Sequence, residues 1–288
     1  DTQMRRINPF FKDELQKKLS KIIIRTTRQQ VRKYIKFTNR IAITKILKPT
    51  NDERDLYDNI TNHIHKYYDS GYDILYLMII QRLISSSTES TKQALFKMKK
   101  SGLFNDDDYN KLMEIANRIK LDTKTNDLLN VIKEDRNSKF LIFTEFHVTQ
   151  DYLARILTEN GYSTTLFNGK MNLTERAESV ERFRNESQIM ISTSAGGEGQ
   201  NFQFCHNVVN YDLPWNPMKV EQRIGRIDRL GQDSPNIKIW NLFYQNTIDS
   251  RIYTRLYDRL RLFENTLGDL EEVLGDEIQK LTSDLLTH

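Results

Sequence analysis

The spacing of hydrophobic residues divides the chain at about residue 122. Before this point, apolar side chains recur every three or four positions in "DERDLYDNITNHIHKYYDSGYDILYLMIIQRLISSS" and "DDYNKLMEIANRIKL", and glycine and proline are scarce. This spacing places apolar residues on one face of an α-helix. We therefore predict that the first part of the chain is helical.

After residue 122, short β-rich runs alternate with helical stretches. The runs are KFLIFTEF, STTLFNG, QIMISTS, NVVNYDL and NIKIWNLFYQ, and helical sequences such as TQDYLARILTEN and LTERAESVERFRN lie between them. Strands that alternate with helices form parallel sheets covered on both faces. The predicted fold class is α/β, and the leucines of the acidic residues 263–288 predict one or two further amphipathic helices.

Composition limits the class of protein. The chain has 288 residues, of which 38% are hydrophobic and 28% charged, as in one large or two modest globular domains. No apolar run is long enough to span a bilayer, and the single cysteine, Cys205, cannot form an internal disulfide. We expect a cytoplasmic protein with no membrane partner, and we interpret this sequence, which begins at Asp1, as an excised fragment. The histidines and Cys205 show no metal-ligand spacing, so we predict no metal site.

The charge is unevenly distributed. The net charge is +4, but residues 1–50 contain 14 Lys or Arg and only 3 Asp or Glu. Two interpretations remain open for this basic end: a surface that binds a polyanion, or a helical segment whose charges face water.

Two loops that follow predicted strands are candidates for binding phosphate, because ligands of parallel sheets bind at the carboxyl ends of the strands. Gly196, Gly197 and Gly199 lie in "SAGGEGQNF", and Gly169 and Lys170 lie in "FNGKMN". Backbone amides of glycine-rich turns and lysine side chains both bind phosphate. Either loop taken alone is more often only a turn.

A third loop leads into "QRIGRIDRLGQ", residues 222–232, which we call the arginine segment. We predict one helix through it, which Asn216 caps and Gly231 ends. Arg223, Arg226 and Arg229 would then share one helical face, where like charges repel unless an anion lies opposite. The alternative is an ordinary solvated face.

Several blocks, in order, resemble the Swi/Snf-type DNA translocases of helicase superfamily two, especially their RapA-like branch. The arginine segment resembles motif VI, "KFLIFTEF" motif IV, and "IMISTSAGGEGQNFQFCHNVVNYDLPWNP" motif V and its continuation. The stretches "LFNGKMNLTERAESVERFRN", "IIIRTTRQQVRKYI" and "KPTNDERDLYDNI" also resemble the family. The resemblance covers about residues 20 to 265 and implies a RecA-like C-terminal helicase lobe, preceded by a helical protrusion and followed by C-terminal helices.

The resemblance implies that Arg226 and Arg229 are arginine fingers, with Arg223 packed beside them. Arginine fingers stabilise the charge that spreads over the γ-phosphoryl oxygens of ATP during transfer. The ATP-binding residues that it implies are Gly199, Asn201, Gln222 and Arg223. The DNA-binding residues that it implies are Thr193, Gly169, Lys170 and Thr144.

The resemblance also implies a division into four parts. These are the basic end of the first lobe (1–45), the helical protrusion (46–121), the RecA-like lobe (122–248), and a brace with acidic C-terminal helices (249–288). The implied partners are the backbone of double-stranded DNA, the first RecA-like lobe of the same protein, and a DNA-bound protein complex. The resemblance places such a protein in the cytoplasm of a bacterium or archaeon, associated with the nucleoid.

The motifs of the first lobe are absent from the sequence. Gly169 and Lys170 are not part of a G-x-x-x-x-G-K-[ST] loop, because Thr164 stands where the first glycine would be. Asp52 and Glu53 precede a predicted helix instead of closing a strand, so they do not form a magnesium site. ATP and Mg²⁺ are the implied ligands, with Mg²⁺ held by the first lobe. We therefore expect negligible ATPase activity from this chain alone.

The predicted function is that of the C-terminal lobe of an ATP-dependent double-stranded DNA translocase or remodeller. One alternative is a non-catalytic module that keeps the lobe and docks DNA or protein. Another is a different α/β enzyme, such as a nucleotide-sugar transferase, which would need an acid, base or metal site that we do not find in the sequence.

Overall fold

The computed structural model describes residues 38–193, 200–229 and 231–254, all of which belong to one compact unit that starts at Thr38. Its centre is a six-stranded parallel sheet with the strand order β1-β6-β5-β2-β4-β3. The strands are β1 (Asn39–Leu47), β2 (Phe140–Thr144), β3 (Thr164–Phe167), β4 (Ile189–Thr193), β5 (Asn207–Asn210) and β6 (Asn236–Tyr244). The basic residues 1–37, the glycines of "SAGGEG" and the acidic C-terminal residues lie outside the described residues.

The described helices other than α6 follow residues whose side chains cap the first turn. Thr50, Ser87 and Asn172 each form a capping box with the residue three positions later, which satisfies amide donors that the helix leaves free. The helices are α1 (Asn51–Asp69), α2 (Ile74–Ile84), α3 (Thr88–Lys100), α4 (Asp106–Arg118), α5 (Thr123–Glu134), α6 (His147–Glu159), α7 (Leu173–Asn185), α8 (Pro217–Ile224) and α9 (Ile248–Ile252). The prediction of helices before residue 122 is confirmed for residues 51–118, where α1 to α4 lie.

Two hydrophobic cores cover the two faces of the sheet. Successive strand residues point to opposite faces, and in β2 Leu141 and Phe143 join one core while Phe140 and Ile142 join the other. The first core packs against α1 to α4 and α7 to α9, and the second packs against α5 and α6. Every residue of β2 is buried. The predicted α/β class with helices on both faces is confirmed.

The five predicted strands after residue 122 are all present, but the edge strand β1 was not predicted. β1 pairs in parallel with β6 from Asn39 opposite Asn236 to Leu47 opposite Tyr244. Its sequence, "NRIAITKIL", lies in the basic region that we interpreted as the end of another lobe. As an edge strand it keeps much of its surface in water, and Ile46 is 60% exposed. The predicted boundary between residues 45 and 46 therefore falls inside a strand of this sheet.

The predicted helix through the arginine segment is wrong in length. It begins as expected, because Asn216 accepts a hydrogen bond from the amide of Met218, but α8 ends at Ile224 and tight turns follow. The Arg226 carbonyl, which a longer helix would use internally, instead accepts from the amide of Phe202 at 2.9 Å. Gly231 has a positive φ of 90°, a conformation that favours glycine, and lies in the turn that leaves the segment.

Candidate functional site

Arg223, on α8, is the buried member of the three arginines, with 4% of its surface exposed. Its Nη1 donates to Asn210 Oδ1 at 2.9 Å and to the Asp212 carbonyl at 2.7 Å, and its Nη2 donates to Glu145 Oε1 at 2.6 Å. Asn210 and Asp212 lie at the carboxyl end of β5, and Glu145 follows β2. These bonds of both Nη atoms fix α8 to the ligand edge of the sheet. The expected contact of Arg223 with ATP stays a prediction.

Arg226 and Arg229 lie in the turns after α8 and not on one helical face with Arg223. Arg226 is half-buried and Arg229 is exposed. The Nε of Arg229 donates to the Gly225 carbonyl at 2.9 Å, which directs the side chain from a defined backbone position. Gln222, expected to contact ATP, is exposed on α8. The structure thus brings Gln222, Arg226 and Arg229 to the surface of the segment that Arg223 holds from beneath.

Arg40 of β1 also holds the arginine segment and the end of α8. Arg40 Nη1 and Nη2 donate to the two carboxylate oxygens of Glu221, each at 2.8 Å, and Nε donates to Asp228 Oδ2 at 2.7 Å. Thr38 also donates to Asp228. Burial alone lowers the pKa of Arg40, but the bonds and charges of Glu221 and Asp228 outweigh burial and raise it. The role of Arg40 was not predicted, because nothing local to β1 indicates partners so distant along the chain.

The carboxylate of Asp212 collects donors from the strand ends and from the helical layer. Asp212 Oδ2 accepts from Thr144 Oγ1 at 2.5 Å and from the amide of Glu145 at 2.9 Å. Ser86 donates to the same oxygen and Lys124 Nζ reaches Oδ1 at 3.2 Å. Thr144 is fully buried, and its direct contact with DNA stays a prediction. Its hydroxyl already has a protein acceptor, and it positions the loop after β2.

The helical layer also contacts the carboxyl edge through Arg82 of α2. Arg82 Nη2 donates to Glu145 Oε2 at 2.6 Å, on the carboxylate that also binds Arg223. The Arg82 guanidinium lies 5.6 Å from the centre of the Trp215 ring, whose Nε1 donates to Asp249 at 2.9 Å. Burial raises the pKa of Asp249. Trp215 lies in the "LPWNP" stretch that resembles the family, and it is a buried, packed aromatic residue.

The loop after β3 presents Gly169 and Lys170 to solvent. The Lys170 amide donates to Asn168 Oδ1 at 3.1 Å, and Arg176 of α7 donates to the carbonyls of Gly169 and Met171 at 3.2 and 3.0 Å. The loop is therefore held by its neighbours while the Lys170 side chain remains exposed. This geometry is suited to contact with a phosphate backbone.

Gln150 of α6, which sequence analysis did not identify, joins this loop to the neighbouring strand end. It is fully buried, and its Nε2 donates to the carbonyls of Phe167 and Ile191 at 3.1 and 2.7 Å. Its Oε1 accepts from Asn168 at 3.2 Å. A single glutamine in an amphipathic helix gives no local signal of this role.

Three predicted site residues, Thr193, Gly199 and Asn201, lie at the end of β4 or follow it along the chain. Gly199 lies outside the described residues. Thr193 is buried at the end of β4, and its Oγ1 has no hydrogen-bond partner among the described residues. The contact of Thr193 with DNA stays a prediction. Asn201 is exposed and its Nδ2 donates to Gln203 at 2.5 Å.

The described residues contain no group of three or more His, Cys, Asp or Glu side chains that could hold a metal ion. Within the same ranges, no helix is long and apolar enough to cross a membrane. Cys205 is buried, and burial raises the pKa of its thiol to about 12.

Comparison with known proteins identifies the class of this domain. Residues 123–231 match the family described as the helicase conserved C-terminal domain, and this range includes every predicted site residue. Two solved structures share the fold. The C-terminal part of the Fun30 ATPase domain has a TM-score of 0.60 and 18% identity, and the match covers 87% of this chain and 97% of that chain. The Pyrococcus furiosus Hef helicase domain has a TM-score of 0.57 and 18% identity, and the match covers 79% of this chain and 60% of that chain. The chain therefore contains a helicase C-terminal domain with a RecA-like α/β fold.

Sequence relatives narrow the family. The uncharacterized ATP-dependent helicase YqhH of Bacillus subtilis is 33% identical over 267 residues, which are 91% of this chain and 47% of that protein. The RNA polymerase-associated protein RapA of Haemophilus influenzae is 34% identical over 163 residues, 54% of this chain and 18% of RapA. The chain thus spans about half the length of YqhH and less than a fifth of this RapA. The chain is thus similar to ATP-dependent helicases and to RapA proteins, and residues 123–231 match the C-terminal domain of helicases.

Proposed function

We propose that this chain supplies the arginine fingers and part of the DNA track of an ATP-dependent double-stranded DNA translocase, with Arg226 and Arg229 as the fingers. The observation that carries the proposal is the contrast within the arginine segment. Arg223 is buried and bonded to protein acceptors, whereas Arg229 is exposed at the same edge. A segment that is fixed from beneath can present cations to a ligand in a constant geometry, as stabilisation of a transition state requires.

The chemistry proposed for Arg226 and Arg229 is electrostatic. As the γ-phosphoryl group of ATP is transferred, negative charge spreads over its oxygens, and guanidinium groups stabilise that charge with directed hydrogen bonds. Gln222, Asn201 and Gly199 are assigned to the nucleotide side of the same edge. Arg223 and Thr144 are assigned positioning roles, because both are buried and bonded within the protein.

DNA is proposed to bind along the loop of Gly169 and Lys170. The loop is exposed and held by Arg176 and Asn168. Contacts of backbone amides and lysine with phosphates hold a strand without reading its sequence, as a translocase needs. Thr193, buried at the end of β4, is assigned to coupling the two ligand sites and not to direct contact.

The remaining parts of the reaction are assigned to other partners. ATP would lie between this lobe and a first RecA-like lobe, and Mg²⁺, which neutralises phosphate charge when bound, is assigned to the first lobe because this sequence has no phosphate-binding loop of the G-x-x-x-x-G-K-[ST] type. This chain alone is therefore expected to hydrolyse ATP negligibly. A DNA-bound protein complex is proposed as a further partner, which the relatives named RNA polymerase-associated proteins support. The proposed location is the cytoplasm of a bacterium or archaeon.

The test is DNA-stimulated ATP hydrolysis by the full-length protein that carries this lobe. We expect Arg226→Ala and Arg229→Ala each to lower turnover by roughly a thousandfold or more while DNA binding persists. Arg118→Ala is the matched control, because Arg118 is an exposed arginine paired with Asp52, outside the predicted site. It should hydrolyse ATP like the wild type.

Unchanged turnover in both finger variants would contradict the proposal. The lobe would then be a docking module that keeps the helicase fold, and loss of DNA or protein binding in the same variants would support that alternative. Hydrolysis by this chain alone at the rate of the full-length protein would separately contradict the assignment of the phosphate-binding loop and Mg²⁺ to another lobe.

A further inference from the structure

Arg40, Glu221 and Asp228, which we call the Arg40 cluster, join the edge strand β1 to the arginine segment. The side chains of Arg40 and Asp228 are 6% and 2% exposed, and that of Glu221 is 15% exposed. One guanidinium binds two carboxylates through three hydrogen bonds of 2.7 to 2.8 Å. Solvent is therefore largely excluded from an ion-pair network that spans positions 40 and 228.

The two carboxylates lie on either side of the end of α8. Glu221 belongs to the helix, while Asp228 lies in the turns that follow it, between Arg226 and Arg229. A planar guanidinium that binds both fixes the angle between the helix and the turns, because its donors lie in a rigid fork. The position of the two predicted fingers relative to α8 thus depends on Arg40.

Arg40 lies on the first described strand of the lobe. β1 is the first described strand, pairs with β6 and follows residues 1–37 along the chain. Thr38, immediately before the strand, donates to the same Asp228 carboxylate. The chain that enters this lobe is therefore bonded directly to the turn between the fingers.

We propose that Arg40 is a positioning residue for ATP hydrolysis, which holds Arg226 and Arg229 in their working geometry through Glu221 and Asp228. This inference rests on the proposed function of those two arginines. Arg40 does not touch ATP; it acts through the backbone of the arginine segment. A displacement of about 1 Å at a reacting centre can cost roughly 100-fold in rate.

The first measurement is DNA-stimulated ATP hydrolysis by the full-length protein with Arg40→Ala and Arg40→Lys. We expect Arg40→Ala to lower kcat by roughly 100-fold with KM for ATP and affinity for DNA unchanged. Arg40→Lys keeps the charge but cannot bind two carboxylates in a fixed fork, so it should restore only part of the activity. Arg118→Ala, which removes an exposed pair, is the control and should keep full activity.

The second measurement combines Arg40→Ala with Arg229→Ala under single-turnover conditions. If Arg40 acts through the fingers, it should cost much less in the Arg229→Ala background than in the wild type, since residues that act as a unit are not additive. If Arg40→Ala lowers the single-turnover rate by the same factor in the wild type and in Arg229→Ala, the proposal is overturned. Unchanged kcat in Arg40→Ala would also overturn it.

Hydrogen exchange in this chain gives a readout that does not depend on catalysis. Arg40→Ala should speed exchange of the amides of residues 225–229 while the amides of β2 and β4 keep wild-type protection. Where Arg40→Ala does not fold, Glu221→Gln provides the same comparison, because it removes one charge and keeps the shape of the side chain. Normal exchange at 225–229 would overturn the structural step. If exchange rises but Arg226→Ala and Arg229→Ala leave turnover unchanged, the proposed function has failed, and the role of Arg40 in turnover fails with it.

Discussion

Arg223 and Arg229 belong to the same segment, in which arginine recurs every three positions. The first is nevertheless buried and the second exposed. Arg223 is buried against Glu145, Asn210 and the Asp212 carbonyl, while Arg229 is exposed with its Nε on the Gly225 carbonyl. A buried ion pair is costly to break because the remaining partner stays uncompensated, whereas exposed charges contribute little to stability. Burial, and not residue type, therefore distinguishes the arginine that supports the site from the one that is exposed to a ligand.

The same contrast extends along the carboxyl edge of the sheet. Beneath the surface, Thr144 and Asp212 are buried and bonded to one another. Above it, Gly169 and Lys170 are exposed. Polar residues at this edge thus form an inner layer that fixes the strand ends and an outer layer that faces solvent. Variants of the two layers should differ in stability and in ligand binding.

The largest expected effect on stability is that of Arg223→Ala. The change removes the buried ion pair with Glu145 and the hydrogen bond to Asn210 of β5. Breaking a buried pair costs about 3 to 5 kcal/mol, so the free energy of unfolding should fall by that amount. Urea unfolding followed by circular dichroism measures it. Arg229→Ala is the matched control and should stay within about 0.5 to 1 kcal/mol of the wild type. Equal losses in the two variants would show that the contrast in burial is wrong.

A smaller loss is expected for Gln150→Leu, which tests the inner layer under the Lys170 loop. The carbonyls of Phe167 and Ile191 lose a buried donor. Leaving a buried polar group unsatisfied costs about 1 to 3 kcal/mol. Gln222→Leu, at an exposed position on α8, should be close to neutral in the same urea experiment. A neutral Gln150→Leu would mean that water or other donors replace the glutamine.

The sequence predicted those features whose signals are local. The five strands after residue 122 follow from short β-rich runs, and the beginning of α8 follows from Asn216 and Pro217. Both signals depend on neighbouring residues, which share a strand or a helical turn. The α/β class with a covered parallel sheet follows from the alternation of those elements.

Features that depend on distant residues were not predictable. Arg40 binds partners 181 and 188 positions away, and β1 forms only because β6 offers an edge. The early end of α8 depends on Phe202, which takes the Arg226 carbonyl. Nothing in the sequence near these residues specifies which distant group will lie opposite, so the periodicity of the arginines suggested a longer helix than exists.

A pH-dependent difference is expected at Glu53, an inner-layer carboxylate near the start of α1. Burial raises its pKa, but hydrogen bonds from Thr123, Thr50 and Tyr244 outweigh burial and lower it from 4.5. A lowered pKa stabilises the folded state above the unfolded pKa, and this stability is lost as the pH falls through the folded value. Glu53→Gln should therefore cost on the order of 1 kcal/mol at pH 7 and progressively less below about pH 4.5.

Urea unfolding of wild type and Glu53→Gln between pH 3 and pH 7 measures this difference, where both variants still fold at the lower values. The exposed Glu178, changed to Gln, serves as control and should show no pH-dependent difference from the wild type. A cost of Glu53→Gln that stays constant across the range would mean that the carboxylate is not stabilised by its donors.

The smallest effect on stability, and the clearest effect on binding, is expected for Lys170→Ala in the outer layer. Lys170 is exposed, so the free energy of unfolding should change by no more than about 0.5 kcal/mol. If its ammonium neutralises one DNA phosphate, affinity of the full-length protein for double-stranded DNA should fall equally for all sequences, and the slope of log K against log salt should decrease in magnitude by about 1. Lys111→Ala, at an exposed position on α4, should leave that slope unchanged. An unchanged slope in Lys170→Ala would place the DNA elsewhere. A variant that loses one phosphate contact releases fewer counterions when it binds, so its slope must change.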